Sequence, residues 1–116
     1  IKLHGARGNT GLQMWDKLYR KHANVKRVFS GDQSRVTALR MAQTGDHGQK
    51  VTSLLSDYLS QPVLRLVRFV PSANRVDVVT YDVMQKVLVD DTPYVHDLDQ
   101  HQFHLDYPMS PVSSAP

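Results

Sequence analysis

Val63-Leu64-Arg65-Leu66-Val67-Arg68-Phe69-Val70 and Arg75-Val76-Asp77-Val78-Val79-Thr80-Tyr81, joined by Pro71-Ser72-Ala73-Asn74, decide the fold class of this chain. β-Branched and aromatic residues dominate both runs, and the four residues between them are turn chemistry at hairpin length. The pair reads as two antiparallel strands. In the first run Leu64 and Leu66 fall on one face and Val63, Val67 and Phe69 on the other. With both faces apolar, that strand is expected at the centre of a sheet with cover on each side.

Upstream, Val51 to Tyr58 reads as a third strand, which would extend the pair into an antiparallel meander. Thr44-Gly45-Asp46-His47-Gly48 is a loop, and Arg35 to Gln43 is read as extended, although its Ala, Leu, Arg and Met content also suits a helix. Val25 to Phe29 looks like a short buried strand that runs into the turn Ser30-Gly31-Asp32. Before it, a helix is expected over about 11–22. Thr10 and Gln13 have capping-box spacing, and Leu12, Trp15, Leu18, Tyr19 and His22 recur at helical intervals. Arg20, Lys21 and His22 complement the C-terminal end of its dipole, Asn24 closes it, and Trp15 is expected in the core. Ile1 to Leu3 is apolar enough to end a strand.

Downstream, residues 83–100 alternate short apolar runs with Asp90, Asp91, Asp97 and Asp99, and Phe103 to Tyr107 can add an edge strand. Ser110 to Pro116 is a Pro and Ser tail. No internal repeat is found. The class is therefore mixed α/β (α+β), with one main helix and a largely antiparallel sheet. One twelve-residue helix is thin cover for a strand that is apolar on both sides, and this points to partner structure beyond the chain.

Composition sets wide bounds. The 116 residues allow one domain at most, and 41% hydrophobic with 22% charged residues is the make-up of an ordinary globular protein. The formal charge of +3 comes from Lys and Arg spread along the chain. The densest basic stretch, Lys17, Arg20, Lys21, Lys26 and Arg27, reads as a solvated face rather than a nucleic-acid surface. Without Cys there are no disulfides and no thiolate chemistry, and this leaves the compartment open. No stretch approaches the roughly 18 apolar residues of a membrane span. The chain starts at Ile1 rather than Met, so an upstream leader or larger region is expected to have preceded it.

Six His and eleven acidic residues invite a metal hypothesis, since imidazole and carboxylate are ligands for divalent ions. Their spacing forms no HExxH and no calcium-binding loop. His47 could bind a metal or protonate a leaving group, against the plainer reading of a polar loop histidine. His96, His101 and His104 interleave with Asp97, Asp99 and Asp106, and here too a solvated acidic loop is the plainer reading. Ser30 and Ser34 lack a nucleophile elbow. Ligands gather at the carboxyl ends of strands in open α/β sheets, which makes the Ser30-Gly31-Asp32 turn the first place to look for chemistry.

Taken in order, several segments resemble the C-terminal part of calcineurin-like metallophosphoesterases. They are Thr10 to Leu18, Arg20 to Val25, Val28-Phe29-Ser30-Gly31, Thr44-Gly45-Asp46-His47-Gly48, Leu54 to Tyr58, Leu64 to Phe69, Val76 to Tyr81 and Gln102 to Asp106. About four-fifths of the chain is covered, and the specificity lies in the ordered series. The resemblance implies a partial αββα sandwich, with residues 1–109 as the C-terminal segment of a phosphoesterase-like domain and 110–116 as tail. In that family two divalent metal ions at strand ends activate a water and stabilise the phosphoryl transition state.

The family's Asp-x-His, Gly-Asp-x-x-Asp and Gly-Asn-His motifs have no counterpart here, so most ligands would come from the remainder of the domain or from another chain. Where the family has Ser-Gly-His-x-His, this sequence has Ser30-Gly31-Asp32-Gln33-Ser34. Asp32 keeps an oxygen ligand for a hard cation, whereas Ser34 is a poor replacement for imidazole. His4 matches a family histidine that precedes the helix. The resemblance thus implies His4 and Asp32 as metal ligands, a phosphoester substrate for the parent protein, and no catalytic residue in this segment alone. The alternative is a degenerate, non-catalytic phosphoesterase-like module that serves as a structural or binding piece of an assembly.

Overall fold

The computed structural model describes residues 8–31, 37–59, 61–92 and 98–109. The fold is mixed α+β, with one short helix and two mostly antiparallel sheets among the described residues. The chain divides into two compact units, Ile1–Asp32 with Leu39–Leu55, and Gln33–Ala38 with Ser56–Pro116.

The first unit opens with α1, Gly11–Lys17. Its start is the capping box expected from the sequence: Gln13 N donates to the Thr10 hydroxyl at 3.1 Å, and Thr10 N donates to the Gln13 side chain at 2.8 Å. Its end falls earlier than expected. The helix stops at Lys17, Leu18 leaves the helical region at φ −131°, and Tyr19–Lys21 continues as one 3-10 turn. A 3-10 turn repeats every three residues, so it preserves much of the 3.6-residue pattern that argued for helix through His22. No residue of α1 is fully buried, and Trp15 is half-buried rather than core.

After α1 come β1, Arg27–Ser30, β2, Ala38–Thr44, and β3, Lys50–Ser56, in the order β1-β3-β2. β1 pairs with β3 in parallel, Arg27 opposite Thr52 and Ser30 opposite Leu55. β2 and β3 form a hairpin closed by residues 45–49, where Gly48 sits at φ +76°. Val51 and Leu54 are the buried apolar residues of β3. This corrects the expected meander, because β3 belongs to the β1-β3-β2 sheet and not to the sheet of the following two strands. Its short turn makes β2 the cheaper partner for β3.

The second unit is built on β4, Val63–Val70, and β5, Arg75–Asp82, paired antiparallel over their full expected length. Pro71–Ala73 forms a single 3-10 turn, and Asn74 reverses the chain in the left-handed region at φ 46°. The turn after β5 is held by Asp82 Oδ1, which accepts from Met84 N and Gln85 N. Two short strands, β6, Val87–Leu88, and β7, Phe103–Asp106, pair with the C-terminal and N-terminal parts of β5.

The central strand is therefore β5. The expectation that placed β4 there is overturned, since among the described residues β4 pairs only with β5. Leu64 and Leu66 are 50% and 52% exposed, while Val76, Val78, Thr80 and Asp82 of β5 are almost wholly buried. Composition could not separate two apolar strands by position, and pairing did.

Candidate functional site

Among the described residues, a connected polar constellation lies on the buried face of β5. Strand alternation puts Arg65 on the same face of β4 as Val63 and Val67, and register sets it opposite Thr80. An arginine in that position must find partners. Its Nε donates to the Thr80 hydroxyl at 3.2 Å, and one terminal nitrogen donates to Gln100 O at 2.6 Å and to the Tyr58 hydroxyl at 3.4 Å. The guanidinium also stands 5.8 Å from the centre of the Phe103 ring.

Tyr58 and His101 are both buried, and the Tyr58 hydroxyl contacts His101 Nδ1. Guanidinium only donates, so the Tyr58 oxygen accepts from Arg65 and its own O–H is left to donate to Nδ1. Burial pushes the Tyr58 phenol up, with the Arg65 charge opposing, and burial draws the Arg65 guanidinium down.

Thr80 lies where neither β6 nor β7 reaches. β7 pairs with β5 as far as Val78, and β6 takes over at Tyr81. The gap is filled by a side chain. Gln102 Oε1 accepts from Thr80 N and Gln102 Nε2 donates to Thr80 O, both at 2.9 Å, so one carboxamide supplies the two bonds that a neighbouring strand would. Gln102 Nε2 also donates to Asp90 at 3.2 Å, and the Thr80 hydroxyl donates to His101 O at 2.7 Å. These bonds link the side chains to one another and to the backbone of Thr80 and residues 100–101, which is the arrangement of a clamp rather than of a nucleophile with its base.

The histidines grouped by the sequence separate here. His101 is buried against Tyr58, whereas His104 is exposed on β7 opposite Asp77, and His96 and Asp97 lie outside the described residues. His47 Nε2 is 2.9 Å from Lys21 O in the first unit, where the same turn is fixed by Gln49 Nε2 donating to Arg20 O and His22 O at 3.1 Å. Arg20 bonds both oxygens of Asp46, which raises its already high pKa. Lys17 Nζ donates to Asn9 at 2.7 Å and Arg27 to Lys26 O, so much of the basic stretch has internal partners.

The implied ligands His4 and Asp32, with Ser34, lie outside the described residues. Among the described residues, no three of His, Asp or Glu stand together as a group that could hold a metal ion. These residues do not by themselves fit a two-metal centre, and no catalytic step is assigned to them. No helix among them is long and apolar enough to cross a membrane. Sequence reasoning missed the Tyr58, Arg65, Thr80 and His101 constellation, although Arg65 in phase with Val63 and Val67 was its one visible sign.

Comparison with family models, with curated proteins and with solved structures gives no match in any of the three.

Proposed function

We propose that this chain is the C-terminal segment of a calcineurin-like, metal-dependent phosphoester hydrolase, contributing sheet and helix cover and at most His4 and Asp32 as ligands to a metal centre assembled largely by other polypeptide. The reading rests on the ordered series of segments that resemble that family. The observation offered for its claim of incompleteness is exposed apolar surface among the described residues of the first unit. Leu12 is 70% exposed and Phe29 58%, α1 buries none of its residues completely, and Leu18, Leu39 and Met41 are exposed in the same unit. Scattered apolar exposure is ordinary, but a helix whose best-covered residues, Met14 and Trp15, are only half-buried gains less from packing than a helix seated on a core, and packing is the main source of helix stability in proteins.

The partner is then the remainder of the phosphoesterase domain or another chain, and the parent protein's substrate is a phosphoester. The purified chain with manganese is expected to leave a nitrophenyl phosphate ester intact. Robust metal-dependent turnover by this chain alone would overturn the proposal.

A second reading, a degenerate non-catalytic module in an assembly, is favoured by Gly31-Asp32-Gln33-Ser34 standing where the family has Gly-His-x-His. Reading the coding sequence upstream separates the two. Intact Asp-x-His, Gly-Asp-x-x-Asp and Gly-Asn-His motifs support the hydrolase, and their loss supports the module.

A further inference from the structure

We draw no further inference here: the strongest candidate, the outer face of the β4–β5 sheet where Leu64, Leu66, Val79, Tyr81 and Leu88 lie side by side, is an apolar surface for which nothing in the structure shows what covers it.

Discussion

Replacing Gly45 with Ala tests how the turn between β2 and β3 is held. Gly45 is buried, and its φ is not positive, since Gly48 alone among the described glycines has that conformation. The backbone would therefore accept alanine. The space would not: a Cβ at Gly45 meets the Gln49 carboxamide, 2.8 Å from Oε1 and closer still to Cδ and Nε2. Gln49 cannot swing aside cheaply, because it is buried, donates to Arg20 O and His22 O, and accepts from His47 N at 3.0 Å.

Losing three such bonds at about 1 kcal/mol each sets the expected cost of Gly45→Ala at about 2–3 kcal/mol. Gln49→Ala loses the same bonds and should cost a similar amount. In the Gln49→Ala background the clash partner is gone, so adding Gly45→Ala should cost less than about 0.5 kcal/mol, or even stabilise slightly through the unfolded chain. The coupling in the double-mutant cycle is then about 2 kcal/mol. Urea titrations followed by circular dichroism, with hydrogen exchange at residues 45–49, would measure it. Equal costs of Gly45→Ala in both backgrounds would refute the steric argument.

Tyr58→Phe is expected to destabilise by about 1–2 kcal/mol at neutral pH, since it leaves a buried imidazole nitrogen without the hydroxyl. Burial raises the Tyr58 pKa above its ordinary 10.0, so the linked stability is complete below that value and is lost as pH rises through the folded pKa. Alkaline unfolding should accordingly be steeper in wild type than in Tyr58→Phe, and identical profiles would count against the buried phenol. Asp77, held below the usual carboxylate range first by its bond from Arg68 and then by Arg75, contributes stability above its unfolded pKa that disappears as pH falls through the folded one. The gap between wild type and Asp77→Asn should close on acidification, and a gap that persists at low pH would contradict it. Leu66→Lys, on a half-exposed side chain, should change stability by about 0.5 kcal/mol or less, whereas Val78→Ala should cost about 2 kcal/mol. The reverse order in thermal or urea unfolding would restore β4 to the centre of the sheet.

The local grammar of this chain is written in its residues. The capping box at Thr10 and Gln13, the turn over Pro71 to Asn74 and the antiparallel pairing of β4 with β5 all depend on neighbours close in the chain, and the structure places them where the sequence did. Partnership depends on residues far apart in the chain. Tertiary structure alone decided that β3 joins β1 and β2 and that β5 rather than β4 is central. It also brought Tyr58, Arg65, Thr80 and His101 together across 43 positions of sequence separation. Periodicity reports which face of an element is apolar, but it carries no information about which other element will cover that face.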